Sequence, residues 1–118
     1  MGFQVIWTKT ADATFRQLET EAREAFENRQ RTQKKKASKQ EGLFKQVSKA
    51  FELLLENPRH PGLHTHEYDS IPHPFVKEGK VFEAYAQNRT PGAYRIFWCY
   101  GPAKEQITIL NTVTSCEF

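Results

Sequence analysis

The chain has 118 residues, of which 38% are hydrophobic and 13% aromatic, and its formal net charge is +3. This length predicts a single domain over residues 1–118, and the apolar content argues against a disordered chain. No apolar run approaches the roughly 20 residues of a membrane span, so we expect no membrane segment. The two cysteines make no disulfide framework, which favours a reduced, cytoplasmic protein.

The positive charge is concentrated in one segment. Residues 29–49 contain eight Lys or Arg residues and one acidic residue, so they carry +7 and the remainder of the chain carries −4. The centre of this segment, the basic tip, holds Lys34, Lys35, Lys36 and Lys39. Such a patch suits a polyanion such as RNA, DNA or a ribosome surface, although a solvated helix face or a hinge would have the same composition.

The chain begins with a predicted strand and a predicted helix. Residues 3–8 alternate with apolar side chains on both sides, which predicts a strand buried on both faces or nearly so. Apolar residues then recur at helical spacing to about Arg29, and Thr10 or Asp12 can cap this helix.

A second helix follows the basic tip. Gly42 breaks the chain, and apolar residues at helical spacing start near Leu43. Asn57 and Pro58 end the helix, because the residue before proline avoids the helical region. Two antiparallel helices joined by the basic tip are therefore expected.

The rest of the chain is predicted to be strands. Residues 60–79 are rich in Pro, His and Gly and hold one short strand at 63–68. The last third reads as a three-stranded antiparallel meander with turns at 89–93 and 101–105. The predicted fold class is α+β, with an N-terminal strand and a helical hairpin packed on the meander.

Strand pairing would bring polar residues together on one face of this meander. If Gln87 pairs with Arg95 and Arg95 with Asn111, the three lie side by side, with Tyr85, Phe97 and Ile109 in the next row. An arginine there can clamp a phosphate and stabilise the charge of a transferring phosphoryl group. Alternatively, Arg95 is structural and pairs with a carboxylate such as Glu83.

The layout is similar to that of a known family. The strand, the hairpin, the Asn57-Pro58 helix stop, the turn through Gly92 and the Tyr94-Arg95 pair leading an apolar strand resemble the RelE/ParE toxin superfamily. The resemblance implies the toxin of a bacterial type II toxin–antitoxin system, with an antitoxin protein as partner and no cofactor. Members of the RelE branch cleave mRNA in the ribosomal A site, whereas the ParE branch poisons DNA gyrase.

In the RNA-cutting branch, basic side chains before the turn and a His, Lys, Arg or Tyr pair at the end transfer protons. The corresponding positions here hold Tyr85 and Gln87, and then Cys116, Glu117 and Phe118. The acid and base would therefore come from Glu83, Glu117 or a histidine of residues 60–73. An active endoribonuclease, a degenerate or ParE-like binding module and a small basic nucleic-acid-binding domain all stay open.

His64 and His66 are two residues apart, so a strand would point both the same way, as a general base or as loop filler. Their spacing predicts no metal site. The predicted catalytic residues are Arg95, Arg89 and Glu83. The predicted substrate-binding residues are Gln87, Asn111, Tyr85, His64, His66, Lys34, Lys35, Lys36 and Lys39.

Overall fold

The protein is described by a computed structural model that covers residues 2–36, 38–86 and 94–114. Its strands are β1 (Gln4–Trp7), β2 (His66–Glu67), β3 (Phe82–Tyr85), β4 (Tyr94–Tyr100) and β5 (Gln106–Thr114). Its helices are α1 (Lys9–Arg31), α2 (Lys39–Glu56) and a 3-10 turn (Pro61–Leu63). The predicted α+β class is confirmed.

The strands form one mixed sheet in the order β1-β5-β4-β3-β2. β3, β4 and β5 pair antiparallel, which confirms the predicted meander, and β1 adds to β5 in parallel. As an edge strand β1 has Gln4 exposed and its other residues only partly buried, so the prediction of burial on both faces is wrong.

The helices cover one face of the sheet. α1 and α2 contribute Ala11, Leu18, Val47, Ala50, Phe51 and Leu54 to a single core, which they share with Ala84, Tyr94, Ile96, Trp98, Ile107 and Ile109 of the strands. Apolar side chains at helical spacing therefore meet alternate residues of the strands, as the sequence pattern requires.

The start of α1 is fixed to the sheet by one side chain. The Thr8 hydroxyl caps the helix by accepting from the Ala11 N–H, and it donates to the Ile109 carbonyl at 2.8 Å. The sequence placed this cap at Thr10 or Asp12, two to four residues too late. Thr8 gives the strand-to-helix turn both a cap and an anchor to β5.

The start of α2 was also predicted too late. Ser38 and Glu41 form a capping box, in which the Ser38 side chain accepts from the Glu41 N–H and the Glu41 carboxylate accepts from the Ser38 N–H. Gly42 consequently lies within the first turns of α2. A glycine costs a helix about 1 kcal/mol, which the two capping hydrogen bonds can offset.

The second helix is joined to the end of the first by an ion pair. The Arg29 guanidinium donates to both carboxylate oxygens of Glu41 at 2.9–3.1 Å and also to the carbonyls of Lys34 and Lys35. Arg29, near the end of α1, is therefore hydrogen-bonded both to the first turn of α2 and to the backbone of the basic tip.

The Arg29–Glu41 ion pair makes the stability of the fold sensitive to acid. Hydrogen bonds from Arg29, then from the Ser38 backbone, lower the pKa of Glu41 from 4.5 to about 2. A carboxylate with a lowered pKa stabilises the fold above its unfolded pKa, and this stabilisation is lost as the pH falls through the folded value. We expect Glu41→Gln to lower the Tm at pH 7, and the difference from the parent to shrink between pH 4.5 and about 2.

The matched control is Glu27→Gln, which neutralises an exposed carboxylate of α1. It should leave the Tm at pH 7 nearly unchanged. Thermal denaturation of the three proteins over the acid range gives the comparison, and a Tm gap for Glu41→Gln that stays constant down to pH 2 would contradict the assignment.

Candidate active site

The face of the sheet away from the helices carries a row of paired residues. His66, Glu83, Phe97 and Asn111 are successive partners across β2, β3, β4 and β5, and Tyr85 and Arg95 are partners in the next row. We call this side the second face. The predicted Gln87–Arg95–Asn111 row is wrong in register, because Arg95 lies opposite Tyr85 and Val113.

A β-bulge between β4 and β5 changes the face of one predicted residue. Phe97 is opposite Asn111, whereas the next residue, Trp98, is opposite Ile109. Ile109 consequently packs in the core under the helices and not on the second face with Tyr85 and Phe97, which themselves lie in neighbouring rows. One extra residue in one strand reverses the alternation beyond it, which the sequence pattern alone did not reveal.

Glu83 is the centre of the candidate site. Its side chain is 3% exposed, one oxygen accepts from Arg95 Nη1, and the other lies 2.5 Å from His66 Nε2. The Arg95 side chain is 15% exposed, whereas His66 is 48% exposed. A buried carboxylate is thus held between two potential cations, of which the histidine faces solvent.

The ring of His66 faces an oxygen on each side. Nε2 lies beside the Glu83 carboxylate, and Nδ1 is 3.2 Å from the His64 carbonyl oxygen. A neutral imidazole has one N–H and can satisfy only one of these acceptors, whereas the imidazolium satisfies both. The geometry therefore suits a charged His66, and the three side chains together would then carry a charge of +1.

Aromatic rings surround the charged groups. Phe97 is fully buried, with the Tyr68 ring 4.6 Å away and the Arg95 guanidinium 5.6 Å from its centroid, so it is not accessible for stacking on a base. Tyr85 is partly buried and its ring is 5.7 Å from that of His66. Of the Tyr85 and Phe97 rings, Tyr85 is the one that is partly exposed beside the cluster.

His64 and Asn111 are not part of the three-residue cluster, although the His64 carbonyl contacts the His66 ring. His64 is not in a strand: it follows the 3-10 turn in a left-handed conformation, with φ of 49°. The 3-10 turn replaces the start of the predicted strand because the His60 side chain accepts from the Gly62 N–H and Pro61 fixes its first residue. The Asn111 side chain accepts from the Thr112 N–H in its own strand.

The basic tip forms a second region. Lys34, Lys35 and Lys36 are exposed between the helices, and Lys39 is the first residue of α2. Lys34 and Lys36 line a groove of about 510 Å³ with Glu21, Glu24 and Arg29 among others. Gln87 and Arg89 lie outside the described residues, as do the turn at 90–92 and Glu117.

Two further findings concern the described part of the chain. It contains no group of three or more His, Cys, Asp or Glu residues placed to hold a metal ion. Neither of its long helices combines the length and the apolar character needed to cross a membrane. In addition, Cys99 is fully buried, and this burial raises the pKa of its thiol to about 11.

The comparisons with known proteins add nothing to this geometry. The chain matches no protein-family model, no curated protein and no solved structure.

Glu83 should be important for stability. Glu83→Gln removes the negative charge between His66 and Arg95 and takes the Glu83 carboxylate away from a mostly buried guanidinium. We expect a loss of roughly 3–5 kcal/mol in the free energy of unfolding, measured by urea denaturation, the usual cost of removing one partner of a buried ion pair.

Glu67→Gln is the control on the neighbouring strand. Glu67 contacts Lys80 Nζ at 2.8 Å, but its side chain is 53% exposed. An exposed ion pair is worth about 1 kcal/mol or less, so this variant should unfold close to the parent. Equal losses for both variants would mean that the Glu83 carboxylate has no special structural role.

Proposed function

We propose that the chain is a RelE/ParE-like toxin of a type II toxin–antitoxin system that cuts mRNA on the ribosome. The observation that carries the proposal is the His66–Glu83–Arg95 cluster on the face of the sheet that the helices leave uncovered. The strand, helical hairpin and antiparallel meander support it, since they are the layout by which the sequence resembles that family.

The cluster has an acid and a cation that can serve phosphodiester cleavage. In the proposed reaction the 2′-hydroxyl loses its proton to water and attacks the adjacent phosphorus, and the bond to the 5′-oxygen breaks. His66 as imidazolium turns its Nδ1–H away from the His64 carbonyl and gives this proton to the leaving oxygen. Arg95 stabilises the negative charge on the phosphate. The products are a 2′,3′-cyclic phosphate and a 5′-hydroxyl.

Glu83 serves this reaction as a positioning residue. Both of its oxygens are engaged and its side chain is almost fully buried, so it is not available as the base that the sequence suggested. It holds the His66 ring and the Arg95 guanidinium on one carboxylate, one on each oxygen.

A ParE-like or catalytically degenerate binding module is the second candidate. The observation that favours it is the limited access to Arg95, which is 15% exposed and already paired with Glu83. A guanidinium held in this way supports a rigid surface more readily than a phosphate clamp. In that case the target would be a protein such as DNA gyrase.

An antitoxin partner belongs to both candidates. An apolar groove of about 260 Å³ lies along the hairpin, lined by Glu19, Ala22, Arg23, Phe26, Glu41 and Phe44. Phe26 is 41% exposed there. An exposed aromatic residue between charged neighbours suits the apolar side of an antitoxin helix.

Variants of the cluster test the activity in a translation extract. We expect the parent to cut mRNA, and His66→Asn and Arg95→Lys to lose roughly 100-fold or more of the rate, because an acid and a two-point phosphate contact are removed. His64→Asn and Arg16→Lys are the controls, since Asn tolerates a left-handed backbone and Arg16 is 75% exposed on α1. Both should cut like the parent.

The same proteins are assayed for inhibition of gyrase supercoiling. No mRNA cleavage together with gyrase inhibition would replace the enzyme by the binding module. A parent protein without either activity would contradict both candidates.

The basic tip is proposed to dock the protein on ribosomal RNA. Replacing Lys34, Lys35, Lys36 and Lys39 by Gln should weaken RNA binding and reduce the slope of log K against log salt by about 3, because fewer counterions are released. The control replaces four lysines outside the tip by Gln: Lys9, Lys45, Lys77 and Lys104. If both quadruple variants change the slope equally, binding depends on net charge and not on the tip.

A further inference from the structure

The loop between β2 and β3 is held closed by one imidazole. His73 Nδ1 accepts the N–H of Phe75 at 3.1 Å and that of Val76 at 3.0 Å. A nitrogen that accepts two hydrogen bonds must carry a lone pair and no proton. The closed loop therefore requires a neutral His73 with its proton on Nε2.

The His73 ring also fills the inside of the loop. A Cβ added at Gly79 would lie 2.7 Å from ring atoms Cγ and Cδ2, so only glycine allows the chain to pass so close. The Gly79 N–H donates to the Val76 carbonyl at 2.9 Å, which closes residues 76–79, and the Phe75 ring meets the His73 ring edge-on at 5.8 Å. Residues 73–79 are thus folded around the imidazole.

This loop carries apolar side chains at the surface. Phe75 is 48% exposed and Val76 is 56% exposed. The loop also forms a wall of a cavity of about 540 Å³ that His73 lines. The charged residues that line the same cavity are Glu67, Asp69, Lys77, Glu78 and Lys80. They include both signs, so no single charge dominates the surroundings of the ring.

We propose that His73 is an acid-sensitive latch of this loop. A proton on Nδ1 removes the acceptor and places an N–H against the N–H groups of Phe75 and Val76. Both hydrogen bonds are then lost and residues 73–79 open, which changes the wall of the cavity that His73, Lys77, Glu78 and Gly79 form. Protonation of the ring is the trigger, and acidification supplies the proton. The latch does not depend on the proposed RNA cleavage.

His66 provides an internal contrast. Its two ring nitrogens face oxygen acceptors, so a proton completes its contacts, whereas a proton on His73 breaks contacts. His66 lies in β2, before the loop between β2 and β3, and His73 lies within that loop. Mild acid should therefore open the loop while leaving the pairing of His66 with Glu83 in place.

NMR of the full chain tests the latch directly. At neutral pH we expect the nitrogen signals of the His73 ring to show the Nε2–H tautomer. On acidification the amide signals of Phe75 and Val76 should shift together with the His73 ring. Their exchange protection, corrected for the intrinsic effect of pH, should fall about tenfold or more as hydrogen bonds of ordinary strength are lost.

Two variants separate the latch from a general effect of acid. In His73→Asn the side-chain oxygen takes the place of Nδ1 as an acceptor that does not titrate in this range, so the loop should stay protected at mildly acidic pH. His73→Ala should be open at every pH. The proposal fails if the ring is the Nδ1–H tautomer, if Phe75 and Val76 do not follow its titration, or if His73→Asn opens like the parent.

Discussion

The second face of the sheet depends on the burial of one carboxylate. A charge at 3% exposure costs several kcal/mol unless it is paired and hydrogen-bonded, and Glu83 meets this condition through His66 and Arg95. β2 is only two residues long, so its own ladder gives little stability. The contact between His66 and Glu83 therefore helps to hold β2 against β3. Because His66 occupies one oxygen of Glu83, the other oxygen is the one that binds the Arg95 guanidinium.

The helix-covered face is held by a different kind of contact. α1 and α2 pack on the sheet through apolar side chains, and such contacts do not fix the direction of a helix. Directional contacts are found instead at the ends of the helices. Thr8 ties the start of α1 to β5, and the Arg29–Glu41 pair ties the end of α1 to the start of α2. The apolar core provides the stability between these points, and the polar contacts choose one arrangement of the hairpin.

Much of this architecture was predictable from residue patterns. Helical spacing located both helices, and alternation located the meander, because each pattern comes from local geometry. The boundaries were less accurate, since a capping box at Ser38 and Glu41 decides where α2 begins and Gly42 suggested otherwise. The predicted pairing of Arg95 was wrong by two residues on each neighbouring strand. The bulge beside Phe97 places Ile109 on the opposite face from the one predicted. Register depends on turns and bulges, which a period of two does not specify.

The candidate site was predictable only in its parts. Arg95 and Glu83 lie on β4 and β3, so alternation could suggest that they meet. A structural Arg95–Glu83 ion pair is one of the two interpretations of Arg95 that the sequence allows. His66 reaches Glu83 because the chain leaves β2, passes through a long loop and pairs β3 with β2. No local sequence pattern predicts such a contact. The unpredicted partner is the one that changes the chemistry. With Arg95 alone, Glu83 would form a closed and neutral pair, whereas His66 extends this pair to solvent as a group that can gain or lose a proton. Whether the second face acts on a phosphate or only presents a surface therefore depends on His66, the most exposed member of the cluster.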